Sequence, residues 1–291
     1  LDPQRLTVIV NVGDDFEHLG LSICPDLDTV CYSLAGLSNP ATGWGREDES
    51  HRALEALGEL GGPTWFRLGD RDLGLHLERT RRRRMGQPLS QVTAHICHAY
   101  GIPVKVLPVT DDAAPTWVYT TEGELPFQEY FVRRQCQPQV TGFRFQGVEQ
   151  AKPAPGVLDA LHQADLVVIC PSNPWVSVDP ILAVPGLRQA LQGKSVVAVS
   201  PIIGGQTVKG PAAKMFAELG IQPSAQAVAG HYERLITGFV LDHVDAEQRP
   251  AIESLGIRTL AADTWMKTAS DRGRLAKEVV SFAVSLSNQQ E

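Results

Sequence analysis

Acidic and amide side chains are concentrated near the N-terminus, between residues 11 and 28. Carboxylates are hard oxygen ligands of the kind that Mg2+ prefers, and an ionised carboxylate can also orient or deprotonate a hydroxyl group. Asp and Asn cap helices and stabilise turns too, so one such residue alone would indicate only local structure. Two acidic pairs in one strand-to-helix region favour the chemical interpretation. The polar residues of this segment are Asn11, Asp14, Asp15, Glu17, His18, Asp26 and Asp28.

The spacing of Asp26 and Asp28 adds a geometric expectation. Alternate residues of an extended segment point to the same side. An extended conformation at residues 24–29 would therefore turn both carboxylates the same way.

A second polar group surrounds residues 65–72, which read Trp-Phe-Arg-Leu-Gly-Asp-Arg-Asp. Arg67 or Arg71 could hold a phosphate through the bidentate fork of its guanidinium group. An ion pair with a neighbouring Asp on the surface is an equally good interpretation, and such pairs contribute little to stability.

Two loops further along the chain could hold an anion. Residues 171–174 (Pro-Ser-Asn-Pro) and 200–205 (Ser-Pro-Ile-Ile-Gly-Gly) each follow an apolar run. Glycine allows backbone N–H groups to approach a phosphate closely. Lys209 stands just before a predicted helix that has Pro211 in its first turn, and a helix start beside a lysine is a plausible phosphate site. Taken singly, each loop is more typical of an ordinary strand-to-helix turn.

Several well-known site motifs are absent from the sequence. It has no GxGxxG and no GxxxxGK[ST], which weakens an ordinary dinucleotide dehydrogenase and excludes a standard P-loop ATPase in the residues present. It has no GxSxG, HExxH or CxxC either, which disfavours an α/β-hydrolase, a zincin and a zinc-binding module. His95 and His98 are three residues apart, with no third ligand in sight.

Short apolar runs followed by polar turns recur along the chain and predict the elements that position these residues. Strands that alternate with helices indicate a parallel sheet in an α/β fold, with ligands bound at the carboxyl ends of the strands. The spacing also predicts helices at residues 51–60, 73–85 and 267–286, and strands at 117–121 and 129–133 that could form an antiparallel pair. The four parallel strands are expected at residues 6–10, 104–109, 166–170 and 196–199.

The predicted architecture is a three-layer, Rossmann-like α/β fold with a mainly helical insertion. Residues 1–28 and 101–291 would form the parallel-sheet core, and residues 29–100 would form the insertion and contribute to an acceptor site. The first strand starts almost at once and no initiator Met precedes it, so the sequence looks processed, trimmed or partial.

Composition limits the functional classes. A net charge of -7 disfavours general nucleic-acid binding, which depends on neutralising phosphates. The apolar runs are far shorter than the roughly 20 residues of a membrane helix, and the N-terminus lacks the pattern of a signal peptide. Five scattered cysteines indicate no disulfide framework, so a reducing cytoplasm is the expected location.

These motifs, in this order, resemble the CofD/FbiA family of 2-phospho-L-lactate transferases, which act in the biosynthesis of the deazaflavin coenzyme F420. The resemblance covers nearly the whole chain, and five ordered motifs are far more specific than any one of them. Residues 43–45 (Gly-Trp-Gly) and 88–90 (Pro-Leu-Ser) also look like the family. The five motifs are Val10-Asn11-Val12-Gly13-Asp14-Asp15, Cys24-Pro25-Asp26-Leu27-Asp28-Thr29, Arg67-Leu68-Gly69-Asp70-Arg71-Asp72, Cys170-Pro171-Ser172-Asn173-Pro174, and Ser200-Pro201-Ile202-Ile203-Gly204-Gly205 with Lys209-Gly210-Pro211.

The resemblance implies a reaction. A guanosine diphospho-linked donor would carry 2-phospho-L-lactate, or its enolpyruvyl or phosphoglyceryl equivalent, and the acceptor would be the deazaflavin Fo. The terminal hydroxyl of the Fo ribityl chain would attack the phosphorus nearest the small acid, releasing GMP and forming F420-0 or its analogue. Mg2+ is the expected cofactor, a homodimer the expected assembly, and a guanylyltransferase the enzyme that supplies the donor.

Residue roles follow from the matching positions. Asn11 and Asp28 match positions near the deazaflavin and the transfer point, and Arg67 matches a position assigned to deazaflavin contact. Asp28 could also orient or deprotonate the attacking hydroxyl. From residue type we expect Asp14, Asp15 and Asp26 to bind the metal or its waters. The residues expected to bind the guanosine diphosphate are Ser172, Asn173, Gly204, Gly205 and Lys209.

Family members usually carry a strand and a GG-x-G loop ahead of the position of Leu1, and the sequence begins after them. Two alternatives remain open at this point. One is another transferase that uses a nucleotide diphosphate on the same scaffold, which the Fo pocket around Arg67 and Trp44 would distinguish, because fold does not fix function. The other is a non-catalytic nucleotide-binding protein, against which the retained acidic cluster argues.

Overall fold

The computed structural model describes residues 2–39 and 45–287. The chain divides into two compact units. The first comprises Leu1–Gln139, Phe143–Val157 and Pro180–Pro185, and the second comprises Val140–Gly142, Leu158–Asp179 and Gly186–Glu291. The predicted α/β fold class is confirmed, since parallel sheets and many helices make up the chain. The domain boundaries expected from the sequence, with an insertion at residues 29–100, stay a prediction.

The first unit is built around a short parallel pair of strands. β1 (Thr7–Val10) pairs with β4 (Lys105–Pro108), in a register that joins Val10 to Pro108. The apolar, β-branched character of β1 suits a buried parallel strand. The other elements that follow β1 are β2 (Phe16–His18), β3 (Leu21–Ile23), α1 (Pro25–Leu34), α2 (Arg52–Glu59), α3 (Asp70–Arg84), α4 (Leu89–Ala99), β5 (Thr116–Thr120) and β6 (Gly123–Pro126).

Two antiparallel hairpins also belong to this unit. β2 pairs with β3, and β5 pairs with β6. The turn of the second hairpin is held by Thr120, whose hydroxyl donates to the Gly123 carbonyl over 2.7 Å and accepts from the Glu122 N–H over 3.1 Å. Strand β7 (Val140–Phe145) lies on the other side of β5 in the same sheet.

The second unit carries a four-stranded parallel sheet. Its order is β8 (Leu166–Ile169), β9 (Ser195–Val199), β12 (Gly238–Asp242) and β13 (Arg258–Ala262), each strand parallel to the next. Between β9 and β12 a small hairpin forms from β10 (Ile202–Ile203) and β11 (Gln206–Thr207). The helices from α5 onward are α5 (Val157–Gln163), α6 (Asp179–Ala183), α7 (Leu187–Ala190), α8 (Ala212–Glu218), α9 (Ala225–His231), α10 (Arg249–Glu253) and α11 (Ala269–Ser287).

Helix α11 supplies the core of the second unit with a helical stripe of apolar residues. This stripe packs on Val197, Val199, Val240 and Ala262 of the sheet. A side chain at Gly238 would meet Leu286 at 2.6 Å, so the glycine allows α11 to lie directly on β12. The stripe consists of Leu275, Val279, Ala283 and Leu286.

The four predicted parallel strands and the three predicted helices are confirmed, with no end more than three residues from its predicted position. The strand predicted at residues 129–133 is wrong. Glu129–Arg133 is a short π-helix, because Tyr130 is buried and Phe127 stacks on Phe131 with ring centroids 5.4 Å apart. The antiparallel partner of β5 is therefore β6.

The extended conformation considered for Asp26 and Asp28 is also wrong. Pro25 opens α1, and both aspartates lie in its first turn. Acidic residues are favoured there because the N-terminus of a helix carries positive partial charge. Within residues 2–39 and 45–287, every helix is too short or too polar to cross a lipid bilayer.

Candidate functional site

The side chain of Asn11 organises the polar cluster at the end of β1. It is buried, and its Oδ1 accepts a 2.7 Å hydrogen bond from the Gly13 N–H. Its Nδ2 donates to Oδ1 of Asp14 over 3.0 Å and to Oδ2 of Asp26 over 2.9 Å. One amide thus joins two carboxylates, one from the loop after β1 and one from the first turn of α1.

The two carboxylates bound by Asn11 both have raised pKa values. Burial raises the pKa of Asp14 well above its ordinary value, and the negative charges of Asp26 and Asp15 raise it further, while the hydrogen bond from Asn11 lowers it. Burial also raises the pKa of Asp26, again opposed by Asn11. A cation between these carboxylates would relieve their repulsion and favour their ionised forms.

Two buried polar atoms beside this cluster have no hydrogen-bond partner among the described residues. They are Oδ1 of Asp15 and Oγ1 of Thr116. A Cβ added to Gly13 would stand 2.5 Å from that Thr116 hydroxyl, so the loop passes close against it. Burial raises the pKa of Asp15, which the Cys24 thiol and Arg79 lower. Buried polar atoms rarely remain unpaired, so these two are available to a ligand.

The residues present fit a magnesium ion that is shared with a phosphorylated substrate. Mg2+ is usually held by one or two carboxylates together with waters and substrate phosphates. Asp14 and Asp26 supply such a pair, and Asp15 offers an unused oxygen. Within the described part of the chain, no group of three or more His, Cys, Asp and Glu side chains forms a ligand set by itself.

Asp28 faces away from solvent in the first turn of α1 and forms an ion pair with a buried arginine. Nη1 of Arg79 donates to Oδ2 of Asp28 over 3.1 Å, and Nη2 donates to Oδ1. Nη1 also lies 3.1 Å from Nδ1 of His76 and 3.3 Å from the carbonyl of Ser22, to which it donates. The guanidinium group is thereby fixed from α1, α3 and β3.

Of the three side chains Asp28, His76 and Arg79, two are charged at neutral pH, with opposite signs. Burial raises the pKa of Asp28 to about 6, against the lowering effect of Arg79. Burial and the positive charge of Arg79 lower the pKa of His76 to about 3, so its imidazole is neutral. Burial opposes the charge on Arg79, but Asp28 outweighs it and the pKa of the guanidinium is raised. At neutral pH an ionised Asp28 faces a charged Arg79.

Sequence reasoning did not single out Arg79 and His76. The conspicuous arginines are those at residues 81–84, which follow immediately. A usable signal lies in the helical spacing, since His76 and Arg79 fall on the face of α3 that buries Leu75 and Thr80. A charged residue on the buried face of a helix requires a specific partner.

Tyr32 and Asp72 form a second polar contact between α1 and α3 near Asp28. The hydroxyl of Tyr32 donates to Oδ1 of Asp72 over 2.5 Å. The guanidinium carbon of Arg46 lies 5.5 Å from the centre of the Tyr32 ring and 5.9 Å from that of Tyr100. These contacts join α1 to the start of α3 and to the residue that follows α4.

The segment that carries Arg67 is anchored by a reciprocal pair of helix caps. Glu49 accepts from the N–H groups of Arg71 and Asp72 at the start of α3, over 2.9 and 3.2 Å. Asp70 accepts from the N–H groups of residues 52 and 53 at the start of α2, each over 3.1 Å. Arg67 itself is exposed and forms no ion pair with any described residue. Trp44 and Gly43 lie outside the described residues.

Four rings pack together before Arg67. Phe16 and His18 of β2 meet Trp65 and Phe66, with the shortest centroid separation, 4.9 Å, between Phe16 and Phe66. Burial lowers the pKa of His18. This cluster attaches residues 65–66 to the hairpin that follows the Asn11–Asp15 loop.

The residues expected at the donor phosphate lie in the second unit, after β8 and β9. Asn173 caps the short π-helix Pro174–Val178, since its Oδ1 accepts from the Trp175 N–H over 3.0 Å. The N–H of Ser172 donates to the Cys170 carbonyl over 2.7 Å. Both groups therefore serve local structure, while β8 and β9 are neighbours and end at the same edge of the sheet.

The glycine loop after β9 adopts the left-handed conformation that glycine favours. Gly204 and Gly205 have φ angles of 56° and 77°. The N–H of Gly204 donates to a carboxylate oxygen of Asp245 over 2.9 Å, so a phosphate would have to displace that acid to use it. Lys209 is exposed, and α8 starts at Ala212. The structure thus brings together Asn11, Asp14, Asp15, Asp26 and Asp28 in the first unit, and it places Ser172, Asn173, Gly204, Gly205 and Lys209 on two loops of the second.

Comparison with known proteins assigns the family. Residues 2–277 match the family model described as 2-phospho-L-lactate transferase CofD. The chain belongs to this family. The match spans almost the whole sequence, and the residues of the Asn11 cluster lie within it.

Curated relatives of this CofD chain carry two related names. A phosphoenolpyruvate transferase of Streptomyces griseus is 44% identical over 286 residues, covering 96% of this chain and 90% of the relative. One of Thermobifida fusca is 41% identical over 290 residues, covering 98% and 89%. A 2-phospho-L-lactate transferase of Methanosarcina acetivorans is 39% identical over 277 residues, covering 95% and 90%.

Two solved structures are similar to this chain in fold. Two crystal structures of a Bacillus halodurans protein, described as a member of the UPF0052 family, superpose with TM-scores of 0.58 and 0.60 at 16% identity. Each comparison covers 94% of this chain and 91% of the other. This likeness supports the α/β fold of the CofD chain.

Proposed function

We propose that this chain transfers a phospho-acid group from a guanosine diphospho-linked donor to the deazaflavin Fo, in the biosynthesis of coenzyme F420. The group is 2-phospho-L-lactate or its enolpyruvyl or phosphoglyceryl equivalent, and GMP is the second product. The observation that carries the proposal is the Asn11 amide bridging Asp14 and Asp26, with the buried Asp28 in the same first turn of α1 as Asp26, in a chain of the CofD family.

The names of the relatives support the proposal that the transferred group is a small phospho-acid. The Streptomyces griseus and Thermobifida fusca proteins are named for phosphoenolpyruvate, and the Methanosarcina acetivorans protein is named for 2-phospho-L-lactate. These acids differ by a few atoms, and the identities of 44%, 41% and 39% are too close to choose between them. The mass of the product decides the acid.

The transfer exchanges one phosphorus–oxygen bond for another. The ribityl hydroxyl oxygen of Fo bonds to the phosphorus nearest the small acid, and the bond from that phosphorus to the oxygen of GMP breaks. GMP leaves with the bridging oxygen, and the hydroxyl proton passes to the medium. Negative charge gathers on the phosphoryl oxygens during this exchange and must be offset by cations or N–H donors.

Asp28 and Asn11 are proposed to act at the transfer point. With a pKa of about 6, Asp28 is mostly ionised at neutral pH and can accept a hydrogen bond from the attacking hydroxyl. Arg79 already occupies one lone pair on each of its oxygens, so orientation of the hydroxyl is the role that the geometry supports best. Asn11 fixes the neighbouring carboxylates at the same strand end.

Mg2+ is the proposed cofactor, with Asp14 and Asp26 as the carboxylates that would hold it and Asp15 as a further ligand or water contact. When bound, the ion would polarise the phosphoryl oxygens as a Lewis acid. The exposed Arg67 is proposed to contact the acceptor. The residues proposed for the guanosine diphosphate are Ser172, Asn173, Gly204, Gly205 and Lys209. A homodimer and a guanylyltransferase that makes the donor complete the proposal.

The test is a coupled synthesis read by mass. The protein is incubated with Fo, Mg2+, GTP and one of three phospho-acids, while a guanylyltransferase forms the donor in place. The expected result is GMP together with a product whose mass identifies the acid. The matched variants are Asp28→Asn, which should lose transfer, and Asp271→Asn, a surface cap of α11 that should retain it.

Two outcomes would contradict the proposal. Binding of guanosine nucleotide without any Fo-linked product would remove the acceptor and leave another transferase that uses a nucleotide diphosphate. Normal transfer by Asp28→Asn would remove the assignment of the transfer point while leaving the reaction intact.

A further inference from the structure

We infer that Arg79 is a positioning residue for the transfer reaction, and that it acts by holding the Asp28 carboxylate in one fixed orientation with the support of His76. The inference rests on the proposed function, because it assumes that Asp28 meets the acceptor. It concerns two residues of α3 that no motif singled out.

Burial and contacts make Arg79 an unusual arginine. Its side chain is only 1% exposed. Its two terminal nitrogens bind both oxygens of Asp28, across 51 positions of sequence, as a paired fork. Such fork-to-fork pairing fixes the plane of the carboxylate as well as its distance, which a lysine cannot do.

The guanidinium group is itself held in place from two further directions. The Ser22 carbonyl of β3 accepts from Nη1 over 3.3 Å, and His76 Nδ1 lies 3.1 Å from the same nitrogen. The hydroxyl of Thr80 accepts from the Ser22 N–H over 2.8 Å and donates to the His76 carbonyl over 2.6 Å. Contacts other than the one with Asp28 therefore already orient the guanidinium group, and the carboxylate that pairs with it has one well-defined position.

A purely structural ion pair would show the same contacts, so the test must separate the two roles. A structural pair changes the amount of folded protein and leaves each folded molecule fully active. A positioning pair changes the turnover of folded protein, because a misplaced Asp28 orients the hydroxyl poorly. The two roles also differ in a double-mutant cycle with Asp28.

The experiment compares Arg79→Lys and Arg79→Met with Asp28→Asn and with the double variant Asp28→Asn/Arg79→Lys. Transfer is measured with Fo, Mg2+ and the donor formed in place, at temperatures where circular dichroism shows each variant folded. We expect kcat to fall roughly 10-fold in Arg79→Lys and roughly 100-fold or more in Arg79→Met. The KM for the guanosine donor should stay within about 3-fold. The double variant should be no slower than Asp28→Asn alone, since both changes remove one function.

Arg81→Met is the matched control on the same helix, because Arg81 is exposed and pairs with Glu78 on the surface. It should transfer at the rate of the unchanged protein. If Arg79→Met does not fold, Arg79→Lys and His76→Gln carry the test, and His76→Gln is expected to lower kcat less than Arg79→Lys.

The outcomes are distinguishable from failure of the proposed function. Normal kcat in folded Arg79→Lys, or losses that multiply in the double variant, would overturn the positioning role while the unchanged protein still makes product. Absence of product from the unchanged protein would overturn the proposed function, and the positioning role with it. Loss of turnover in Arg79→Lys without further loss in the double variant supports the inference.

Discussion

The Nδ2 atom of Asn11 lies 2.9 Å from Oδ2 of Asp26, although 15 positions separate the two residues in the sequence. This hydrogen bond closes the loop after β1 onto the first turn of α1. It brings the Asp14 carboxylate, bound to the same amide, next to a helix start that also carries Asp28. The geometry of the candidate transfer site depends on this one side chain.

Asn11 is therefore expected to be sensitive to the loss of its amide. Asn11→Asp would place a third carboxylate against two whose pKa values are already raised, and it would remove both donated hydrogen bonds. We expect the free energy of unfolding to fall by roughly 1–3 kcal/mol. Urea unfolding measures this. Gln91→Glu is the control, because it exchanges an exposed amide of α4 for a carboxylate, and the free energy of unfolding should change by less than about 0.5 kcal/mol.

Replacement by alanine should change stability in opposite directions at Gly69, which lies against the cap formed by Glu49, and at Gly74, which lies inside α3. A Cβ at Gly69 would collide with the Glu49 carboxylate and displace it from the N–H groups that it caps. Gly69→Ala should lower the free energy of unfolding by about 1–2 kcal/mol. Gly74 lies inside α3 with open space around it, so Gly74→Ala should raise stability by up to about 1 kcal/mol. Thermal unfolding of both variants checks the pair, and equal shifts would contradict it.

Breaking the buried pair should cost far more stability than breaking a surface pair on the same helix. Arg79→Met leaves the Asp28 carboxylate buried without its cation, and we expect a loss of roughly 3–5 kcal/mol. Arg81→Met removes only exposed contacts, with Glu78 and with the Met85 sulfur, and should change stability by less than about 1 kcal/mol. Equilibrium unfolding in urea compares them. Similar losses would show that the Asp28–Arg79 pair is solvated.

Asp242 gives a stability change with pH whose sign can be stated. Burial raises the pKa of this carboxyl, but hydrogen bonds from Thr264 and from the Val244 N–H outweigh burial, and the net pKa is lowered. A lowered folded-state pKa adds stability that is present above the unfolded pKa of about 3.9 and is lost as pH falls below it. The difference in the free energy of unfolding between the unchanged protein and Asp242→Ala should therefore be constant from about pH 5 to about pH 7. It should shrink below about pH 4. A difference that grew in acid would contradict the assignment.

The carboxylates bound to Asn11 predict how transfer depends on metal. Chelation of Mg2+ should abolish GMP release, and added Mg2+ should restore it. Asp14→Asn and Asp26→Asn should raise the Mg2+ concentration needed for half-maximal transfer by about 10-fold or more, because each removes one of two charged ligands. Titration of both variants with Mg2+ measures this. Unchanged metal dependence in both would place the ion elsewhere.

Local pattern was sufficient for much of the fold. β1, β4, β8 and β9 are short β-branched or apolar runs followed by polar turns, and they form parallel strands as expected. The pattern failed at Glu129–Arg133, where an aromatic and β-branched sequence forms a π-helix. Burial of Tyr130 and the stacking of Phe127 on Phe131 decide the conformation there, and both depend on tertiary packing. The strands predicted from the sequence do not include β12 and β13.

In the candidate site too, some residues can be predicted from local sequence and others depend on tertiary packing. Asn11, Asp14 and Asp26 could be chosen from residue type and order, and the structure brings them into direct contact. Arg79 could not, because its partner Asp28 is 51 positions away and only the tertiary arrangement of α1, β3 and α3 makes the pair. The conformation of residues 26–28 was also beyond the pattern, since Pro25 starts a helix where alternating aspartates suggested an extended segment.

The proposed transfer site is tested by the rate of Fo-dependent GMP release by Asp28→Asn, measured beside the unchanged protein and Asp271→Asn. We expect that GMP release by the unchanged protein requires Fo and matches the amount of F420-0 type product. Asp28→Asn should release GMP more slowly by about 100-fold or more, while Asp271→Asn should release it at the rate of the unchanged protein. Release at the normal rate by folded Asp28→Asn, or release that does not depend on Fo, would contradict the proposed transfer site.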